Sequence, residues 1–213
     1  MPVRAPYPLA RVMVATLLLL GVTVALGACD SDASGIKTYT DPDYGYSFEY
    51  PAGWVLNKSD TASVGSGGDA ASSVQVGNPE GARVGDTGLD GLIVRVYELN
   101  QAVDESMLPQ VKPGVEALIA DLLSQDPSWK VEDTLTETNV GGVPGYRATF
   151  TFDWDADHPV KSTSYFLFDG TIEYELAVQA ATDTWEANQE VFGAFVASFA
   201  PGPASATSPR TQQ

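Results

Sequence analysis

Three aspartates, Asp153, Asp155 and Asp157, alternate as D-x-D-x-D just before the only histidine of the chain, His158. Oxygen donors at that spacing open the calcium loop of an EF-hand, which also needs glycine at the sixth position and glutamate at the twelfth. Here those places hold His158 and Ser164, so the EF-hand reading fails. What remains is a solvated acidic turn, with a weak cation contact at Asp155 and Asp157 as its only chemistry. His158 would act as a general base only if a nucleophile and an orienting group converged on it. Ser162 and Ser164 stand nearby, without the G-x-S-x-G elbow that would present one of them. Gly65-Ser66-Gly67-Gly68 lacks the Lys-Ser/Thr of a phosphate loop, and Asn139–Gly145 joins two strands rather than opening a helix. One histidine and one cysteine exclude a zinc centre built from several such ligands, and an intramolecular disulfide with it. Glu173 and Glu175 read as solubilising groups on the polar face of a strand. No catalytic residue, no metal ligand and no cofactor is assigned.

The one cysteine is Cys29. Before it, residues 1–11 carry Arg4 and Arg11 and no acid, and an uncharged apolar run of 15 residues follows from Val12 to Leu26. That run is short of the roughly 20 residues of a spanning helix and has the layout of a signal peptide. Leu26-Gly27-Ala28-Cys29 resembles the lipobox of bacterial lipoprotein precursors. The resemblance implies that residues 1–28 are a signal peptide removed before Cys29. The Cys29 thiol would then carry diacylglycerol with acyl chains of the palmitate kind. The expected location is the extracytoplasmic face of the cell membrane, held there by lipid. Residues 29–213 keep all 28 acids but only 9 of the 11 bases, a net charge of -19. Such a surface argues against nucleic acid and anionic bilayers as partners, since both need a basic footprint.

Residues 29–35 read as a flexible tether and Pro201–Gln213, rich in Pro, Ser, Thr and Ala, as a disordered tail. Between them, residues 36–200 make one domain by length, with no internal repeat. Tyr44, Tyr46, Phe48 and Tyr50 alternate, predicting a strand with one buried face that Pro51-Ala52-Gly53 ends. Residues 59–71 form a Gly/Ser/Asp loop; short strands are expected near Val74–Val76 and from Leu92 to Tyr97. Val115, Leu118, Ile119 and Leu122 make the stripe of a helix with Pro113 in its first turn, Val111 joining if the helix starts earlier. Trp129, Val131 and Leu135 suggest a strand that Asp133 interrupts. Tyr146 to Trp154 alternates as a long strand, with Arg147, Thr149, Thr151 and Asp153 opposite its apolar face. Val160–Phe168 and Ile172–Val178 flank Asp169-Gly170, a strong hairpin signal. A last helix has Asp183 as N-cap with Glu186 three residues on, and Trp185, Asn188, Phe192, Phe195 and Phe199 along one face. One-sided strands covered by two amphipathic helices make an α+β domain with a mostly antiparallel sheet.

The opening Tyr39-Thr40-Asp41-Pro42-Asp43-Tyr44-Gly45-Tyr46-Ser47-Phe48-Glu49-Tyr50-Pro51-Ala52-Gly53-Trp54 resembles the start of PsbP-like domains, which group with the nuclear transport factor Mog1. The resemblance covers most of residues 36–200 and implies a Mog1/PsbP-like α/β/α sandwich. It supplies no catalytic residues. Members assist photosystem II, bind a small GTPase, or are secreted lipoproteins of unknown role. The expectation is a lipid-anchored, non-catalytic binding or assembly protein with an extracytoplasmic or membrane protein partner. The alternative is a ligand- or solute-binding lipoprotein associated with transport, in which aromatics such as Tyr97, Tyr165 or Trp154 would line a groove.

Overall fold

A computed structural model describes residues 35–59 and 70–203. Cys29, residues 1–28 expected as a signal peptide, most of the expected tether 29–35, the centre of the 59–71 loop and residues 204–213 lie outside the described residues.

The elements in chain order are β1 (Ile36–Thr40), β2 (Ser47–Pro51), β3 (Val55–Ser59), β4 (Ser72–Gly77), β5 (Arg83–Val84), β6 (Thr87–Gly88), β7 (Gly91–Val103), α1 (Leu108–Gln125), β8 (Lys130–Val140), β9 (Val143–Asp153), β10 (Pro159–Ala181) and α2 (Trp185–Ser198). The main sheet runs β3-β4-β7-β10-β9-β8, and every pairing in it is antiparallel. β1 and β2 form a separate hairpin, and β5 and β6 a small one.

β10 holds 23 residues, which as a straight strand would reach about 75 Å. Yet the Thr182 N–H and hydroxyl both donate to the Pro159 carbonyl, at 2.9 and 3.1 Å, so its two ends touch. The chain therefore doubles back, and it does so at Asp169-Gly170, where Gly170 takes φ +59°. The first arm pairs with β9, Val160 opposite Phe152 and Tyr165 opposite Arg147. The second pairs with β7, Tyr174 opposite Val96 and Val178 opposite Leu92. The Asp-Gly hairpin is the centre of the sheet.

Each sheet face has its own core. On one, α2 and the β1–β2 hairpin pack Tyr46, Phe48, Phe192, Phe195 and Phe199 onto Val94, Val96, Leu167, Tyr174 and Leu176. On the other, α1 sets Leu108, Val111, Val115, Leu118 and Ile119 against Tyr146, Ala148, Phe150, Phe166 and Phe168. The result is an α+β fold, a large antiparallel sheet between two helices.

Several local expectations shift. The aromatic strand starts at Ser47 rather than Tyr44, because Gly45 takes φ +70° and turns the chain there; Tyr46 and Phe48 are still buried. α1 begins at Leu108, with Pro109 in the first turn and Pro113 inside the helix, so Val111 does join the buried stripe. Without an N–H, Pro113 leaves the carbonyl of Pro109 with no intrahelical donor, at an exposed position one turn from the helix start. α2 is entered through Thr184, not Asp183, and no side chain caps it. Asp133 does break the regularity of β8, whose register shifts on both sides of it.

Candidate functional site

α2 covers only part of its sheet face. Beside it, the residues of β8, β9 and the first arm of β10 that point the same way form the floor of a groove of about 290 Å³. Asp133, Arg147, Thr149, Lys161, Thr163 and Tyr165 come from the sheet, and Trp185, Gln189, Phe192 and Gly193 from the helix. The pairings Lys161–Thr151, Thr163–Thr149 and Tyr165–Arg147 put these side chains on one face by strand alternation. This is the polar side of the strand read as Tyr146–Trp154. It is polar because only the edge of a helix stands over it.

The groove is rich in donors. Arg147 uses Nε on the Thr136 hydroxyl at 3.4 Å and lies beside the Tyr165 hydroxyl. Burial pushes the Tyr165 phenol up, and the Arg147 charge works against that rise. Lys161 pairs with Glu132 at 2.6 Å and sits 5.3 Å from the centre of the Trp185 ring. The Thr149 and Thr163 hydroxyls are buried and bonded to each other at 3.0 Å. Among the described residues neither hydroxyl is hydrogen-bonded to a carboxylate or an imidazole. The arrangement can hold a ligand by hydrogen bonds and charge.

The acidic turn lies elsewhere, between β9 and β10. Asp155 Oδ1 accepts from the Asp157 N–H and contacts His158 Nδ1, and both side chains are exposed. The His158 contact and the Asp157 N–H hold the Asp155 carboxyl below its ordinary value. Ser162 and Ser164 face the α1 side of the sheet, opposite Phe150 and Ala148, and are not brought to His158. Among the described residues no group of three or more His, Cys, Asp and Glu could hold a metal ion. Of the three aromatics expected at a groove, Tyr165 lines it; Tyr97 is buried against Glu175, and Trp154 packs near Leu89 and Phe152.

Glu173 and Glu175 are not solubilising. They are 6% and 2% exposed, on the α1 side of the sheet, opposite Tyr97 and Arg95. Glu175 accepts from Arg95 at 3.0 Å and from the Tyr97 hydroxyl at 3.3 Å. Burial alone would lower the Arg95 pKa; the Glu175 carboxylate more than offsets it and the net direction is up. Burial, reinforced by Glu175, drives the Tyr97 phenol well up.

Two further buried carboxylates hold the frame. Asp41 accepts from the N–H groups of Asp43 and Tyr44 through one oxygen, and from the Tyr39 and Ser72 hydroxyls through the other. The opening motif is thus a latch between the β1–β2 hairpin and β4. Asp90 accepts from the Ala181 and Ala82 N–H groups, the Thr184 hydroxyl and the Asn188 amide, which ties the start of α2 to the loop before β7.

No family model matches the chain, and no curated protein matches it in sequence. Solved structures do. The cyanobacterial PsbP (CyanoP) of Synechocystis sp. PCC 6803 superposes at a TM-score of 0.53 with 18% identity, over 83% of this chain and 98% of that one. The domain shares its fold with that protein. LpqN of Mycobacterium tuberculosis, a protein involved in cell envelope biogenesis, gives a TM-score of 0.50 with 12% identity over 79% of this chain and 92% of its own. The Ran-binding protein Mog1p of Saccharomyces cerevisiae overlaps more loosely, at a TM-score of 0.45 and 16% identity over 81% and 98% of the two chains. Among the described residues, no helix is long and apolar enough to cross a membrane.

Proposed function

We propose that this is a non-catalytic binding or assembly module, carried on the extracytoplasmic face of the cell membrane by lipid at Cys29, with the groove beside α2 as its contact site. The observation that carries the reading is the groove itself. It offers a guanidinium, an ammonium and hydroxyls, but its threonines bond to each other and its lysine to Glu132, so its groups are set to hold rather than to react. The single imidazole is engaged with Asp155 at a separate exposed turn. The partner is an extracytoplasmic or membrane protein, or a small ligand taken up in the groove. The groove favours the second of these, which is the solute-binding alternative.

The anchor rests on the lipobox Leu26–Cys29 and on the apolar run before it. In this reading residues 1–28 are cleaved, 29–35 tether the domain and 201–213 form a tail, whose start packs on the body through the Gly202 N–H on the Tyr174 hydroxyl at 3.3 Å. The part of LpqN in cell envelope biogenesis supports a place at the envelope. Intact-mass measurement of chain extracted from native membranes should find a diacylated Cys29 at its N-terminus, and Cys29→Ala should abolish both cleavage and lipid. An unmodified Cys29 thiol would sink the anchor. Turnover of a common ester, peptide, glycoside or phosphate substrate that is lost in His158→Ala would sink the non-catalytic reading.

A further inference from the structure

We infer that the groove beside α2 binds a small hydroxylated carboxylate, of the sugar-acid kind, through the guanidinium of Arg147. The inference rests on reading the groove as a binding site and adds the chemistry of its occupant.

Arg147 is exposed, gives Nε to Thr136 and bonds the Tyr165 hydroxyl, so among the described residues about three of its five N–H donors have no protein partner. Among the described residues no ion pair holds it: Lys161 has Glu132, and Arg95 has Glu175 on the other face of the sheet. A guanidinium edge matches two carboxylate oxygens at once, which an ammonium cannot do. The Thr149 and Thr163 hydroxyls share one bond, so one of their two hydrogens is left to give. Tyr165 adds a further donor at the same floor, and Gln189 and Lys161 add what their bonds to the Trp185 carbonyl and Glu132 leave over. The obligate acceptor is the exposed Asp133 carboxylate, a partner for a ligand hydroxyl.

A ligand that satisfies this set carries a carboxylate for Arg147, further oxygen acceptors for the floor, and at least one O–H for Asp133. The apolar members Val178, Trp185 and Phe192 are nearly buried, so the surface offered to a ligand is polar and suits a hydroxylated body better than a hydrocarbon one. At about 290 Å³ the space is at the low end for ligand pockets, which points to one ring rather than a chain of them. On a protein with net charge -17, an anion reaches this place only if a local cation offsets the surrounding field. Arg147 supplies it.

Isothermal titration of the full chain in detergent with sodium glucuronate, glucose and inorganic phosphate tests this. Glucuronate should bind with a dissociation constant of about 1 mM or tighter and glucose at least about tenfold more weakly. Arg147→Gln should lose at least about tenfold in glucuronate affinity, and Arg147→Lys, which keeps the charge but not the fork, should fall between. Arg147 is exposed, so both variants should fold, as circular dichroism would verify. Equal binding of glucose and glucuronate, preference for phosphate, no heat with any probe at about 10 mM, or glucuronate binding indifferent to Arg147 would each overturn the inference. Failure here with a different ligand found in the groove would leave the binding-module reading standing.

Discussion

Replacing Asp41 with alanine removes an acceptor from four donors at once, the N–H groups of Asp43 and Tyr44 and the hydroxyls of Tyr39 and Ser72. Two of these belong to the turn that leads into Gly45, and the hydroxyls lie on β1 and β4, so the loss uncouples the hairpin from the sheet. We expect Asp41→Ala to cost about 2–4 kcal/mol, read by urea unfolding, because four donors, the Tyr39 hydroxyl buried and the others half-buried, lose their carboxylate. Asp41→Asn, which keeps an acceptor oxygen, should cost less. A loss below about 0.5 kcal/mol for alanine would mean the latch is dispensable. The motif that carried the family resemblance is therefore a device of packing. Its residue types were visible in the chain, but its job was not, since Ser72 lies 31 positions away.

At the scale of elements, what could be read locally was read and what depended on distant neighbours was not. Asp169-Gly170 announces its hairpin because the turn chemistry is contained in two residues. β3 is silent: Val55 is 40% exposed and only Leu56 packs inward, so no alternation marks it. β1 buries Tyr39 alone. Two prolines four apart left the start of α1 ambiguous, and tertiary packing of Leu108 and Val111 decided it. The alternation of Glu173 and Glu175 with apolar residues fits a wet face and a buried polar one equally; Arg95 and Tyr97, on another strand, make it the latter. The groove was invisible for the same reason, as the chain does not say that Gly193 of α2 stands over Thr149 and Thr163. A Cβ at Gly193 would meet nothing within 4 Å, so the position is free of packing demands. Gly193→Ala should stabilise the domain by about 0.5–1 kcal/mol through helix entropy alone, measurable as a raised denaturation midpoint with an unchanged slope. A fall in stability would show that the backbone at Gly193 needs glycine.

The whole molecule has a predictable response to base. Burial raises the Tyr46 and Tyr97 phenols, the first further raised by Asp41 against an opposing bond from Ser72, the second by Glu175. A raised folded-state value means the native chain holds these protons after the unfolded chain has lost them. Their contribution is then full below about pH 10, the unfolded value, and is lost as pH climbs above it. Alkaline unfolding should therefore begin above about pH 10, and tyrosinate absorbance should rise together with the loss of circular dichroism. Full ionisation of all tyrosines before any loss of structure would contradict the burial described. The central claim, that a non-catalytic module holds its ligand or partner in the groove beside α2, is tested most directly by native mass spectrometry of the full chain released from its own membranes, compared with Gly193→Gln. The variant adds a long side chain at a groove-lining position where a Cβ meets nothing within 4 Å. The account predicts a bound species on the native chain, chemically unaltered on release, and at least about tenfold less of it on Gly193→Gln. Equal occupancy of the two proteins, or a species converted to product by the native chain, would contradict it.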